Sequence, residues 1–137
     1  MRIRAAAVQF AVTEDADANL ATCLRMVDEA AAQGAEVVVL PEFCNHVSWY
    51  EDREHARRMA QTLDGPFVSA LRAKAAEHAL HLMANCTLAR EDGRTTGTNL
   101  LFDTRGELLA TSDKQVLMPD ATKQSIEALP EFKYATD

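Results

Sequence analysis

Hydrophobic residues recur along the first forty positions in a pattern that predicts a β-α-β unit. Residues 3–10 form a short apolar run without Gly or Pro, which is typical of a buried strand. A helix is predicted to begin near Asp17, whose carboxylate can cap it, and to end at Gly34. Its apolar residues recur at spacings of three and four, and they form one stripe: Leu20, Cys23, Leu24, Val27, Ala30 and Ala31. Residues 35–40 include three consecutive valines and predict a parallel strand that is covered on both faces.

The middle of the chain predicts two further helices. Residues 48–51 (Ser-Trp-Tyr-Glu) match a Ser-x-x-Glu capping box, which predicts a polar helix that runs to about Gln61. Residues 64–66 (Asp-Gly-Pro) predict a turn that places a proline at the first position of the next helix. We expect that helix to end near Ala79 and to turn three residues toward the core: Phe67, Leu71 and Ala75.

The rest of the pattern predicts strands that are joined by tight turns. Residues 80–88 alternate between the two faces of a strand, and further strands are predicted at 98–103 and after residue 107 as far as Thr111. Residues 114–137 show no period and are expected to be mostly loop. The element order β-α-β-α-α-β-β-β therefore predicts an α/β fold with a mixed sheet and helices on at least one face.

Composition narrows the class of protein. The 137 residues suffice for one domain, and a content of 47% hydrophobic and 26% charged residues excludes a disordered chain. The net charge of −7 disfavours a nucleic-acid-binding protein. No apolar run approaches the roughly 20 residues that span a bilayer, and Gln9 with the acidic residues after it argues against a signal peptide. We therefore expect a cytoplasmic protein whose three cysteines, an odd number without metal-ligand spacing, are reduced thiols.

Two ionisable residues are predicted to lie at the carboxyl ends of strands, where open α/β sheets bind ligands. Glu42 follows the valine-rich strand, and Lys114 follows the last predicted strand. A carboxylate in that position can act as a base, and a nearby lysine can stabilise negative charge on a substrate oxygen. Considered singly, a solvated loop carboxylate and a surface lysine are the more ordinary interpretation of the same residues.

Several short motifs occur in a characteristic order. They are residues 6–10 (Ala-Ala-Val-Gln-Phe), Asn19-Leu20, residues 34–43 with Pro41-Glu42 after the valines, residues 63–66, Thr98-Asn99 and residues 102–107. Together they cover about residues 3–119 and resemble the nitrilase superfamily, the carbon–nitrogen hydrolases. The resemblance implies an α-β-β-α sandwich, of which this chain would supply half, as a mixed sheet with helices packed on one face.

The resemblance also implies a chemistry. Members of this family hydrolyse amides, carbamoyl groups or nitriles without a metal or an organic cofactor, and they use a Glu base, a Lys and a Cys nucleophile. It assigns Glu42 as the base and Lys114 as the lysine that stabilises the tetrahedral intermediate. Asp113 departs from the family pattern, and we expect it to pull on the Lys114 ammonium group. The family nucleophile lies in a later segment, so residues 1–137 are expected to be a single partial domain that is inactive alone.

Three further residues are candidates for contact with the substrate. Cys44 lies two residues after Glu42 and is expected to line the pocket, whereas Cys23 and Cys86 are expected to pack in the core. Trp49 is a candidate pocket wall, with anchoring of its helix as the alternative. Glu127 is a candidate for a second family glutamate that positions the substrate, and Glu131 is the alternative. The four histidines share no metal-ligand spacing, so no metal site is expected: His46, His55, His78 and His81.

Two hypotheses of different classes follow. The first is the amino-terminal half of a hydrolase of small amide, carbamoyl or nitrile substrates, which forms a homo-oligomer and binds neither nucleic acid nor membrane. The second is a non-catalytic remnant that acts as a binding or oligomerisation module, because a sheet meant to be sandwiched would expose a large apolar face.

Overall fold

The computed structural model describes residues 2–114, and within that range it contains five strands and three helices. In chain order they are β1 (Ala5–Ala7), α1 (Ala16–Ala32), β2 (Val37–Val39), α2 (Arg53–Met59), α3 (Pro66–Glu77), β3 (His81–Ala89), β4 (Thr95–Phe102) and β5 (Leu108–Asp113). The strands form one sheet in the order β1-β2-β3-β4-β5; β1, β2 and β3 are parallel, and β4 and β5 continue the sheet antiparallel. The predicted mixed α/β sheet is thereby confirmed, while the predicted loop beyond Lys114 lies outside the described residues.

Helix α1 begins one residue earlier than predicted, and its cap is Asp15 rather than Asp17. The Asp15 carboxylate accepts hydrogen bonds from the backbone N–H groups of Asp17 and Ala18, both at 3.0 Å. Asp17 therefore lies in the first turn of the helix. Its own backbone N–H group needs an acceptor there, and the Asp15 carboxylate supplies it. At the other end, Gly34 follows the helix with a φ of +79°, the left-handed conformation that was predicted for it.

The predicted capping box at residues 48–51 is wrong. Helix α2 begins at Arg53, and its cap is Asp52, which accepts a hydrogen bond of 2.6 Å from the backbone N–H of His55. Tyr50 is buried before the helix begins, with its hydroxyl 2.6 Å from Thr87 Oγ1 on β3. This tertiary contact holds Tyr50 against the sheet, so the helix can begin only after it.

One face of the sheet packs against helices α1 and α3. Phe67, Leu71 and Ala75 of α3 are buried as predicted, and α3 begins at Pro66 as predicted. Their counterparts on the sheet are fully buried and lie on neighbouring strands: Val38, Leu82, Ala84, Leu100 and Phe102. Burial of this layer is the main source of stability, at roughly 1.5–3 kcal/mol for each large side chain.

The opposite face of the sheet carries a continuous row of apolar residues. The strand register joins them one to the next across all five strands: Ala7, Val39, Met83, Leu101 and Ala110. Val39 is 37% exposed, although the adjacent Val38 is fully buried. The prediction that β2 is covered on both faces is therefore wrong for residues 2–114, because helices α1 and α3 lie on the Val38 side and Val39 is partly exposed.

Candidate active site

Glu42 and Lys114 meet at one edge of the sheet. Strand β5 is antiparallel to β4, which is antiparallel to β3, so β5 runs in the same direction as β2 and both end at this edge. Lys114 Nζ donates a hydrogen bond of 2.7 Å to Glu42 Oε1, across 72 positions of the sequence. The Lys114 side chain is 25% exposed and that of Glu42 is 60% exposed. The structure thus brings together the two residues that the sequence placed at the ends of separate strands.

The ring of Phe43 lies beneath the Lys114 ammonium group. Phe43 is buried, and Lys114 Nζ lies 5.5 Å from the centroid of its ring, within the range of a cation–π interaction. Gly97 on β4 makes room for this ring: a Cβ atom at Gly97 would lie only 2.9 Å from Phe43 Cε1. The Lys114 N–H also donates to the Gly97 carbonyl oxygen at 2.8 Å. Gly97 therefore contacts both the ring and the backbone that carries the lysine.

A buried amide supports the backbone next to Glu42. Phe43 has a φ of +51°, which is uncommon for a residue with a side chain. Its N–H group donates to Asn85 Oδ1 at 2.8 Å, and the next N–H group, that of Cys44, donates to the Asn85 backbone carbonyl at 2.8 Å. Asn85 Nδ2 in turn donates to Asn99 Oδ1 at 2.9 Å.

Asp113 is engaged on the other side of β5. Its carboxylate forms an ion pair with Arg90 and accepts a hydrogen bond of 2.7 Å from Thr98 Oγ1. Successive side chains of a strand point to opposite faces, so Asp113 and Lys114 diverge. The expectation that Asp113 draws the Lys114 ammonium group toward itself is corrected accordingly: Asp113 pairs with Arg90, and Lys114 pairs with Glu42.

Cys44 is turned into the core and does not line an open cleft. It is fully buried, and its Sγ lies 3.7 Å from Cys86 Sγ. A hydrogen bond with Cys23 opposes the change, but the hydrogen bond with Cys86 and burial together hold the pKa of the Cys44 thiol well above its usual value. Cys23 and Cys86 are buried as well, and all three thiols are free. The structure thus places Cys44 among packing residues, as the sequence predicted for the other two.

Two candidate residues remain, Trp49 and Glu127. Trp49 is 42% exposed in the connection before α2, while Tyr50 beside it is buried and anchors that connection. Burial raises the pKa of Tyr50 to about 12, against an opposing hydrogen bond from Thr87. Glu127 lies outside the described residues.

A polar cluster on the surface of the helical layer has the donor atoms of a metal site. Asp28, Glu77 and His78 could each offer one ligand atom. Lys74 already occupies this cluster, with Nζ 2.6 Å from Asp28 Oδ1 and 2.9 Å from Glu77 Oε2. The Lys74 ammonium group, and then His78, hold the pKa of the Asp28 carboxyl below its usual value. The cluster is therefore satisfied as an ion-pair network.

A surface cavity of about 930 Å³ lies next to the β3–β4 hairpin, with Arg90 and Asp113 in its lining. Its lining includes neither Glu42 nor Lys114. The chemistry-bearing pair thus lies outside this cavity, and volume alone does not identify the site.

Four residues hold the pair in place, and the sequence did not predict this role for any of them: Phe43, Asn85, Gly97 and Asn99. A glycine within a strand does signal the close approach of another group, and here that group is the Phe43 ring. Nothing in the local sequence signals the Asn85–Asn99 contact, because it depends on the register of β3 against β4.

The fold and the site together define a class: an α/β protein with a carboxylate and an ammonium group in contact at the carboxyl edge of its sheet, where such sheets bind ligands. The sequence model of the carbon–nitrogen hydrolases matches residues 4–133. The chain belongs to the carbon–nitrogen hydrolase family.

Relatives share parts of their length with this chain. The nitrilase and fragile histidine triad fusion protein NitFhit of Drosophila melanogaster is 29% identical over 116 residues, which are 85% of this chain and 25% of that protein. A hydrolase of Schizosaccharomyces pombe is 32% identical over 109 residues, which are 78% of this chain and 33% of that protein. A mutant of the amidase from Nesterenkonia sp. AN1, with acrylamide added to its active-site cysteine, matches with a TM-score of 0.68 at 22% identity.

The extent of these matches differs between the partners. The match to the amidase structure covers 98% of this chain and 48% of that chain, and it shows that the two share a fold. This chain therefore spans a quarter to about half of the length of the proteins that it resembles. Helices within residues 2–114 are all too short or too polar to cross a bilayer.

Proposed function

We propose that this chain carries the general base, Glu42, and the charge-stabilising lysine, Lys114, of a hydrolase that cleaves amide or carbamoyl C–N bonds through a cysteine thiolate. The observation that carries the proposal is the contact of 2.7 Å between Lys114 Nζ and Glu42 Oε1. An exposed ion pair stabilises a fold by only about 0–1 kcal/mol. A contribution to fold stability therefore explains poorly why other residues hold this pair in place. Membership of the carbon–nitrogen hydrolase family supports the reaction class.

The two side chains have complementary parts in the proposed reaction. The Glu42 carboxylate takes the proton of the thiol, and the thiolate attacks the carbonyl carbon of the substrate. The oxyanion that forms lies near the Lys114 ammonium group, which stabilises its charge. The C–N bond then breaks, the leaving amine takes the proton from Glu42, and a thioester remains. Water that is activated by Glu42 hydrolyses the thioester, which releases the acid and restores the thiol.

The thiol of this reaction is proposed to come from outside the 137 residues. The chain has three cysteines, and all of them are buried with free thiols. The related amidase from Nesterenkonia sp. AN1 has an active-site cysteine, which supports a cysteine mechanism here. We therefore infer that residues 1–137 form one partial domain and are inactive alone.

The substrate class is proposed as small amides or carbamoyl compounds, ahead of nitriles, because those branches of the family are broader. Glu42 and Lys114 lie close enough to act on a single reacting carbon, as such a substrate requires. We also propose that the protein is cytoplasmic, forms a homo-oligomer and binds no nucleic acid. The net charge of −7 is in keeping with the last of these three properties.

The test measures ammonia released from propionamide, N-carbamoylglycine and propionitrile. In the catalytically complete enzyme, we expect Glu42→Gln to reduce turnover by at least about a hundredfold. Glu107→Gln is the matched control, because Glu107 is 63% exposed, carries the same charge and faces Arg72 instead. Normal turnover of Glu42→Gln would remove Glu42 from the mechanism. Activity of the 137-residue chain that disappears in Cys44→Ala would overturn the proposal that the nucleophile lies elsewhere.

A second candidate function, an oligomerisation module, is favoured by the open face of the sheet. The apolar row that runs from Ala7 to Ala110 is exposed at Val39, which is 37% exposed. We infer a second copy of this chain as its occupant, because a two-fold dimer buries the same apolar face of both copies. Light scattering of the purified chain tests it: a dimer supports the module, and a monomer at all concentrations rejects it.

A further inference from the structure

Asn85 accepts hydrogen bonds from the two backbone N–H groups that follow Glu42. Its side-chain oxygen accepts the N–H of Phe43, and its main-chain oxygen accepts the N–H of Cys44, each at 2.8 Å. Two successive N–H groups of the turn are thus bound to one residue of β3. Asn85 is 8% exposed, so the solvent offers little replacement for either bond.

The turn needs such support because of its conformation. Phe43 has a φ of +51°, a left-handed value that brings Cβ close to the following carbonyl oxygen and is therefore disfavoured in a residue other than glycine. The residue before it is Glu42, and the ring of Phe43 carries the Lys114 ammonium group at 5.5 Å. A relaxation of Phe43 toward ordinary dihedral angles would therefore move the carboxylate and the support of the lysine at once.

The orientation of the Asn85 amide is fixed by its other neighbour. Nδ2 donates to Asn99 Oδ1 at 2.9 Å, and Asn85 and Asn99 are directly opposite each other in the β3–β4 register. Since Nδ2 is engaged across the sheet, Oδ1 faces Phe43. The cross-strand pair thus presents an acceptor at a fixed position beneath the turn.

We propose that Asn85 is a positioning residue of the site: by holding the left-handed turn at Phe43, it sets the distance between Glu42 and Lys114. The proposal rests on the proposed function, in which those two side chains act on one reacting atom. Asn85 acts through the backbone and does not itself contact the substrate.

The first readout is geometric and needs no activity. Hydrogen exchange of the Phe43 amide is measured by NMR in the 137-residue chain and in three variants. Asn85→Leu, which is nearly isosteric but has no acceptor, is expected to exchange about tenfold faster. Asn85→Asp keeps an acceptor for the Phe43 N–H and is expected to exchange as the unchanged chain does. Asp103→Leu is the matched control, since Asp103 is likewise 8% exposed and accepts the N–H groups of Arg105 and Glu107 at 2.8 and 2.9 Å, in the connection between β4 and β5 at the opposite end of β5 from Lys114.

The second readout separates positioning from fold stability. A buried carboxylate without a cationic partner destabilises a fold more than a leucine does, so stability measured by urea unfolding should rank Asn85→Leu above Asn85→Asp. Turnover of the complete enzyme should rank them in the opposite order, with kcat about a hundredfold lower in Asn85→Leu and KM within about twofold. Turnover that follows the stability ranking, or Phe43 exchange that is unchanged in Asn85→Leu, would overturn the proposal.

Failure of the proposed function has a different signature. If Glu42→Gln turns over normally, the catalytic role of the pair is rejected, whatever the exchange rates are. If Glu42→Gln is inactive but Asn85→Leu has a normal kcat, the role of Glu42 stands and that of Asn85 is rejected.

Discussion

Replacement of Gly97 by alanine is expected to destabilise the chain through one specific collision. The new Cβ would lie 2.9 Å from Phe43 Cε1 and 3.0 Å from Phe43 Cζ, closer than carbon atoms approach in proteins. Phe43 is only 4% exposed, so its ring has little room to move away. Overpacking of this kind costs about 1–3 kcal/mol. Because alanine also restricts the unfolded chain by about 0.4–1 kcal/mol, the net loss should be about 1–2 kcal/mol.

A double-mutant cycle isolates that collision. Phe43→Leu removes both of the ring atoms that the new methyl group would strike, and leaves a side chain of similar polarity. In this background Gly97→Ala should be neutral or stabilising by about 0.5–1 kcal/mol, because only the effect on the unfolded chain remains. The coupling between the two positions is therefore expected to be about 1–3 kcal/mol, within the range for residues in contact.

The assay is equilibrium unfolding in urea at pH 7, followed by circular dichroism for the four chains of the cycle. Equal losses for Gly97→Ala in the Phe43 and Leu backgrounds would show that the ring does not occupy the space above β4. Because the new methyl group would displace the Phe43 ring, the same variant should also weaken the contact of the Lys114 ammonium group with that ring.

Two further predictions concern pH. The Asp28 carboxyl has a lowered pKa because of Lys74 and then His78, so its contribution is present above the unfolded value of about 4 and is lost as the pH falls. Asp28→Asn should lower stability by about 0.5 kcal/mol at pH 7, since the carboxylate is partly exposed, and urea unfolding near pH 3 should show a smaller difference. Burial raises the pKa of Tyr50 to about 12, so the unfolded chain loses that proton first and stability should fall above about pH 10. Tyr50→Phe should remove this part of the alkaline loss and lower stability by about 1 kcal/mol at pH 7, because the bond with Thr87 is lost; an alkaline limb identical to that of the unchanged chain would contradict it.

The sequence predicted the parts of the fold that depend on local pattern. Helix α3 begins at Pro66 as predicted because proline there loses no hydrogen bond, and β2 is the valine run that precedes Glu42. The start of α2 was mispredicted because the side chain of Tyr50 is bound to β3, a contact between residues 37 positions apart. Long-range contacts of this kind leave no periodic signal in the neighbouring sequence.

For the candidate site, too, the sequence predicted some features and could not predict others. The positions of Glu42 and Lys114 at strand ends could be predicted, because the end of an apolar run is visible in the sequence. Their separation of 2.7 Å could not, because it depends on the dihedral angles of Phe43 and on the absence of a side chain at Gly97. The catalytic roles assigned to the pair remain predictions, to be tested by the variants described above.

Arg90 and Thr98 bind the Asp113 carboxylate, and Asp113 is the residue before Lys114. The position of Lys114 therefore depends on contacts on both sides of the sheet. The backbone next to Lys114 is held by contacts on the helical side of the sheet, while the Lys114 ammonium group contacts Glu42 on the open side. Substitutions at Arg90 or Thr98 are therefore expected to change the distance between Lys114 Nζ and Glu42 Oε1 from the opposite side of the sheet.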